Sequence, residues 1–137
     1  MTQFSSRTSR FDIRIPSHVR ETVEMAASLE GRSFTDFLIA AMLENIVYFE
    51  LRRRWYDVYI GKNAAKEIDF VATRRDERLY VQVCRRLPEE SDREIANLLE
   101  IRDHYPKYVV TLDELATGNV DGVKIMHLAD FLLSSAY

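Results

Sequence analysis

The sequence predicts an α+β chain in which helices come first and a sheet follows. Two observations carry this. The hydrophobic period is helical through residues 17–53 and mostly alternating after residue 56. With 47% hydrophobic and 30% charged residues and only 4 Gly and 3 Pro, the composition is that of a regular globular chain. A length of 137 residues corresponds to one domain or two small ones.

Met1 to Ser9 is rich in Ser, Thr, Gln and Arg without periodicity and is expected to be a flexible basic arm (1–9). Arg10-Phe11-Asp12-Ile13-Arg14-Ile15 alternates polar and apolar residues up to Pro16. That pattern predicts a short strand with Phe11, Ile13 and Ile15 on one face and Arg10, Asp12 and Arg14 on the other. Ser17 is a candidate cap for a helix over 17–30, in which Val19, Val23, Ala26 and Ala27 recur at helical spacing and Gly31 supplies the stop.

Ser33-Phe34-Thr35-Asp36 has the form of a capping box with Asp in place of Glu or Gln, and no Gly or Pro interrupts the run until Gly61. A long second helix to about Arg53 follows, in which Phe37, Leu38, Ala41, Met42, Ile46, Phe49 and Leu51 are expected to form a wide buried stripe. One strand and two helices cannot cover Phe11, Ile13 and Ile15, so this arrangement calls for a partner chain.

Three strands are then predicted at 57–60, 67–72 and 79–84, separated by Gly61-Lys62-Asn63 and Arg74-Arg75-Asp76-Glu77. Helical spacing returns over 89–103, Pro106 breaks it, and strands at 107–112 and 123–128 precede a terminal helical turn at 129–134.

Composition also bounds function. A single cysteine, Cys84, forbids an intrachain disulfide and points to a reducing, cytoplasmic setting. No run of about 18 apolar residues exists, so no membrane association is expected. The formal net charge is −3, yet residues 1–20 carry Arg7, Arg10, Arg14 and Arg20 against Asp12 alone. That segment is +3, which leaves −6 for the rest: a basic arm on an acidic body.

The run Arg10 to Pro16, followed by Ala26-Ala27-Ser28-Leu29-Glu30-Gly31-Arg32-Ser33 and Asp36-Phe37, resembles the TacA-type antitoxins. The resemblance implies a dimeric ribbon-helix-helix module over 10–46 that binds operator DNA. Two chains would pair their strands into a ribbon of major-groove width, presenting Arg10, Asp12 and Arg14 to the bases. The backbone amides at Ser33, Phe34 and Thr35, with Arg32, would clamp phosphates.

Residues about 43–133 resemble a second family, the PD-(D/E)XK restriction-endonuclease-like C-terminal domain of prokaryotic AAA-type ATPases, which implies a second domain over 47–137. The resemblance rests on Leu43-Glu44-Asn45-Ile46-Val47-Tyr48, Glu50-Leu51-Arg52-Arg53-Arg54, Val58-Tyr59-Ile60-Gly61-Lys62, Lys66 to Ala72, Tyr80-Val81-Gln82-Val83 and Asp103 to Val109. No GxxxxGK[ST] phosphate loop occurs in the chain. The implied fold is an αβββαβ domain fused to the N-terminal module through the long helix. The implied site is Glu44 or Glu50 on the helix, Asp69, and an acid-x-Lys pair on the third strand. In such a site carboxylates hold Mg²⁺ and the lysine activates water.

Here Gln82 and Cys84 stand at the acid-x-Lys positions. Gln82 keeps an oxygen but loses the charge, and Cys84 cannot act as a cation, so the site is expected to be vestigial. No cofactor is expected; Asp69 would be the metal ligand, and Mg²⁺ the ion, only if the site were active.

His18, His104 and His127 lack zinc spacing and read as surface or structural residues. Cys84 reads as a small buried residue, and Trp55, Tyr56, Tyr59 and Tyr80 as core packing rather than a stacking platform. The function expected from all this is a sequence-specific DNA-binding antitoxin or transcriptional repressor. It would bind a double-stranded operator as a homodimer and a protein partner, such as a toxin, through its C-terminal domain. The alternatives are a Mg²⁺-dependent DNA endonuclease and a protein-binding inhibitor with no DNA role.

Overall fold

A computed structural model describes residues 10, 12–87, 93–135 and 137. The chain divides into two compact units, Met1–Phe34 and Thr35–Tyr137. The domain boundary expected near residue 46 falls inside the second helix.

In the first unit, α1 spans Ser17–Leu29. Pro16, not Ser17, occupies the N-cap position, with extended backbone and no side-chain cap; its carbonyl accepts from Val19 and Arg20 N–H at 3.0 and 3.1 Å. Proline's fixed φ suits the entry to a helix, and Ser17 becomes the first helical residue. The far end is a Schellman closure: Gly31 at φ +66° donates to Ser28 O at 3.0 Å and Arg32 N–H donates to Ala27 O at 2.9 Å. The expected Gly31 stop is therefore observed.

The strand expected over 10–15 does not form in the single chain: residues 12–16 belong to no ladder, and Ile13 is 60% exposed. A strand needs a neighbour to receive its N–H and C=O groups, and one chain offers only one such segment. Phe11 and the arm 1–9 lie outside the described residues.

The second unit is built on α2 (Phe34–Arg53) and a six-stranded sheet. The strands are β1 (Asp57–Asn63), β2 (Lys66–Arg74), β3 (Glu77–Cys84), β4 (Lys107–Thr111), β5 (Gly118–Val120) and β6 (Val123–His127). They lie in the order β1-β2-β3-β4-β6-β5. The β1-β2-β3 meander is antiparallel, β3-β4 and β4-β6 are parallel, and β5-β6 is antiparallel. Helix α3 (Arg93–Leu99) connects β3 to β4, and α4 (Leu128–Leu133) follows β6. From α2 to β4 the elements run helix, three strands, helix, strand, as expected from the sequence.

Side chains alternate across β3. Leu79, Val81 and Val83 pack with Leu43, Val47 and Leu51 of α2 and Phe131 of α4. Tyr80 and Cys84 lie on the other face, where Ile95 and Leu98 of α3 pack with Ile68, Val109 and Ile125. Burial on both faces is why β3 and β4 read as nearly continuous apolar runs.

Three departures have local causes. The strand β5 was not expected, because Gly118-Asn119-Val120 has no alternating pattern and exists only by pairing with β6. The helix expected over 89–103 ends at Leu99, and its expected start at 89–92 lies outside the described residues. Asp103 draws the chain out of helical geometry by accepting from Tyr105 N–H at 3.1 Å, from the Tyr80 hydroxyl at 2.6 Å and from Lys107 Nζ at 3.0 Å. Finally, β1 runs on to Asn63, three residues past its expected end.

Candidate functional site

The β2 strand is irregular where Asp69 sits. Tyr59 pairs with Val71 but Gly61 pairs with Ile68, so β2 carries one extra residue between them. The bulge brings both Ile68 and Val71 to the α3 side of the sheet. A glycine is required opposite it: a Cβ on Gly61 would stand 2.6 Å from Val71 Cγ2 and 2.9 Å from Ile68 Cβ.

On its other side, the β2–β3 ladder is regular as far as Phe70↔Val81, and side chains continue it. Asp69 N–H donates to Gln82 Oε1 at 3.1 Å, and Val83 N–H donates to Asp69 Oδ2 at 2.7 Å. The carboxamide is used at both ends, since Gln82 Nε2 donates to Glu94 Oε2 in the first turn of α3 at 2.8 Å. Asp69, Gln82 and Glu94 are thus tied into one cluster, with Cys84 two residues beyond Gln82 on the same strand.

Burial pushes the Cys84 thiol up to about 11; a hydrogen bond with Thr111 opposes this, and the carboxylates of Glu94, Asp69 and Asp113 reinforce it. The thiol is therefore neutral at physiological pH and supplies neither a nucleophile nor a cation. Two carboxylates, Asp69 and Glu94, face this cluster, each already accepting a hydrogen bond. Among the described residues no group of three or more His, Cys, Asp or Glu is placed to hold a metal ion. Mg²⁺ is commonly held by one or two carboxylates with waters completing its octahedron; here Asp69 Oδ2 and Glu94 Oε2 accept from Val83 N–H and Gln82 Nε2, and Cys84 stands where the lysine would be.

The two helix acids go elsewhere. Glu50 is buried and accepts from Arg53 Nε and Nη2 at 2.9 and 2.8 Å and from Arg54 Nε at 2.6 Å. The hydrogen bonds from Arg53, opposed by burial and aided by Arg54, hold its carboxyl at about 2. Arg54 carries the contact on to the chain end, donating to Ser134 O at 2.5 Å with its guanidinium 4.1 Å from the Tyr137 ring centroid. That ring stacks on Phe131 at 4.3 Å. Glu50 therefore belongs to an ion-pair hub joining α2 to the C-terminal segment. Glu44 lines a groove of about 350 Å³ with Tyr48, Tyr59, Ile60 and Phe70.

The candidate DNA residues are exposed or nearly so. Arg10 Nε pairs with Asp12 Oδ1 at 3.0 Å, Arg14 projects to solvent, and Arg32 lies 3.6 Å from Glu30. Ser33 precedes α2 and Thr35 is exposed, while Phe34 is half-buried under the Arg20 guanidinium at 5.4 Å. Asp36, read as the distal capping residue, also ion-pairs with Arg85 beyond β3.

Sequence reasoning missed Glu94. Its signal was an acid in the first turn of a helix after β3, but only the β3–α3 crossover brings it to Gln82. It also placed Tyr56 and Tyr80 correctly in the core, whereas Trp55 and Tyr59 are exposed.

Residues 10–45 match the family described as Antitoxin TacA 1-like. An uncharacterized protein of Haemophilus influenzae (strain ATCC 51907 / DSM 11121 / KW20 / Rd) is 46% identical over 94 residues, 69% of this chain and 23% of that protein. The chain thus spans less than a quarter of that relative's length. No solved structure matches. Among the described residues no helix is long and apolar enough to cross a membrane.

Proposed function

We propose that this chain is a DNA-binding antitoxin-type regulator, acting as a homodimer whose paired N-terminal strands read an operator and whose sheet domain engages a protein partner such as a toxin. The observation that carries this reading is the antitoxin-family match over residues 10–45. That segment also has the helix, glycine stop and second helix that a ribbon-helix-helix module requires.

Arg10 and Arg14 would make bidentate hydrogen bonds to guanine O6 and N7, and Asp12 would accept from a cytosine amine or orient Arg10, its observed ion-pair neighbour. Ser33, Phe34 and Thr35 would offer α2's first amides to phosphates, with Arg32 beside them. The unpaired, alternating segment at 12–15 supports the reading as well, because its apolar side chains are exposed until a second strand covers them.

The test is selection of duplexes from a random-sequence pool by the purified chain, then titration of the selected duplex at several salt concentrations. The reading expects a palindromic site, log K falling linearly with log salt, and loss of selectivity in Arg10→Ala/Arg14→Ala with Asp69→Ala unaffected. A chain that selects no sequence and shows no salt slope overturns it.

A second reading, a PD-(D/E)XK-like domain in residues 47–137, is supported by the α2-β1-β2-β3-α3-β4 order and by Asp69 at the break in the β2–β3 ladder. The Asp69, Gln82 and Glu94 set makes a cleaving role for it the weaker proposal. Mg²⁺-dependent nicking of plasmid DNA abolished by Asp69→Ala would restore that role. A pure protein-binding inhibitor is the outcome if partner binding persists without any DNA affinity.

A further inference from the structure

The chain holds two of its own arginines in one way. Arg54 donates to the Glu50 carboxylate at 2.6 Å with its guanidinium 4.1 Å from the Tyr137 ring centroid. Arg74 donates to the Glu77 carboxylate at 2.6 Å with its guanidinium 4.4 Å from the Tyr56 ring centroid. In both, one carboxylate and one aromatic face act on the same cation.

The groove between α2 and strands β1 and β2 has those parts without the cation. Glu44, Tyr48, Tyr59, Ile60 and Phe70 are in its wall, and among the described residues that line it Glu44 alone is charged. Glu44 is half-buried, the Tyr48 and Phe70 rings stand 6.2 Å apart at 43°, and Tyr59 is 60% exposed. A carboxylate flanked by rings is kept from water on that side and attracts a cation more strongly than one on open surface. Because β1 ends the sheet, no further strand of the chain covers the groove on that side. Its volume of about 350 Å³ lies near the bottom of the about 300–1,000 Å³ of ligand sites, which suits one long side chain.

We infer that this groove receives an arginine side chain of a protein partner, with the guanidinium against the aromatic rings and Glu44 accepting from it. A carboxylate offers about four acceptor sites, so the contact Glu44 already makes leaves capacity for another. Arginine suits the groove better than lysine, because a planar guanidinium stacks on a ring, binds a carboxylate through two parallel bonds and gives up water more readily than an ammonium. The charge of the body agrees: residues 21–137 sum to −6, a field that draws a basic partner and repels an acidic one. The inference rests on the partner-binding reading of the sheet domain above and names the chemistry of that contact.

The experiment titrates the full ¹⁵N-labelled chain with the peptide acetyl-Gly-Arg-Gly-amide, and with its citrulline counterpart, which has nearly the same shape and no charge. Amide chemical shifts are followed in the unmodified chain, Glu44→Gln and Tyr59→Ala, and unshifted signals elsewhere are the folding control. The expected result is saturable binding in the millimolar range that moves the amides of Glu44, Tyr48, Tyr59 and Phe70. Citrulline and Glu44→Gln should each weaken it by about tenfold, the scale of a lost charge-assisted hydrogen bond, and Tyr59→Ala by about threefold. Should Tyr59→Ala disturb the fold, Tyr59→Leu keeps the bulk and removes the aromatic face. No saturable shifts at the groove, equal binding of the citrulline peptide, or a Glu44→Gln chain that binds as well as the unmodified one overturns the inference. Capture of a protein partner by the unmodified chain and by Glu44→Gln separates this from the reading beneath it. A partner held equally by both, with no arginine-peptide binding, overturns the inference and leaves the partner reading standing. Arginine-peptide binding at the groove with no partner held by either chain overturns the partner reading instead.

Discussion

Asp69 gives its main-chain N–H to the Gln82 carboxamide oxygen at 3.1 Å, and the other end of that carboxamide reaches Glu94 at 2.8 Å. An amide suits this position because it both accepts and donates, whereas a carboxylate only accepts at neutral pH. Gln82→Glu keeps the shape, removes the donor to Glu94 and puts a third carboxylate beside Asp69 and Glu94. It should destabilise the sheet domain by about 1–3 kcal/mol at pH 7. Part of that loss should return with millimolar Mg²⁺, since three carboxylates would then compete for a hard cation. Urea unfolding with and without Mg²⁺ measures both effects, and a substitution that costs nothing would show that the carboxamide is idle.

Acid sensitivity should trace to Glu50. Its carboxyl lies at about 2 in the folded chain against an ordinary 4.5, with the Arg53 hydrogen bonds the largest cause. A depressed folded value stabilises above the unfolded pKa, and that contribution is lost as pH falls from about 4.5 toward 2. It is worth on the order of 2–3 kcal/mol at neutral pH. Glu50→Gln should lose about that much at pH 7 and show a flatter stability profile below pH 4.5. Parallel acid-limb profiles for the two chains would place the sensitivity in other groups.

Gly61 is held to glycine by contact rather than by backbone angle, since an added Cβ meets Val71 and Ile68 inside 3.0 Å. Gly61→Ala should cost about 1–3 kcal/mol, the range for overpacking. Because Cγ2 of Val71 is the closer obstacle, Gly61→Ala/Val71→Ala should be less destabilised than the sum of the two single changes. Additive losses in this double-mutant cycle would count against the contact.

Trp55 closes α2 where glycine is usual. It has φ +67°, and the bonds Trp55 N–H to Arg52 O at 3.0 Å and Tyr56 N–H to Leu51 O at 3.1 Å complete a Schellman motif. The indole is 85% exposed, so little packing offsets the left-handed backbone. Trp55→Gly should therefore raise stability by about 0.5–1 kcal/mol in thermal or urea unfolding. A loss instead would mean that the ring packs in solution, on this chain or on another.

Much of the fold was legible because its signals are local. The uninterrupted helical run between Ser33 and Gly61, the alternation of Leu79, Val81 and Val83, and Gly31 as a stop are signals in the local sequence, so both α-helices before the sheet and the three-strand meander could be read directly; the buried face of α2 could not, since Leu43 and Val47 are buried while Met42, Ile46 and Phe49 of the expected stripe are exposed. The site was only half legible. Asp69 and Gln82 were named from the sequence, but Glu94 joins them through a helix whose approach the sequence does not encode locally. Glu50 looked equivalent to Glu44 as a helix acid until Arg53 and Arg54 were seen to claim it.

The sequence alone determined helices α1 and α2, the β1-β2-β3 meander and strands β4 and β6, where α1 stops, and that Gln82 and Cys84 carry no acid-lysine pair, since these follow from residue type and near-neighbour spacing. Tertiary structure decided the rest. The bulge that makes Gly61 necessary, the pairing that turns Gly118–Val120 into a strand and the carboxamide bridge from Asp69 to Glu94 are all contacts between separate elements. The state of residues 10–15 belongs with them: the alternation specifies a strand face, but a β-ladder exists only when a second strand supplies the other half of its hydrogen bonds.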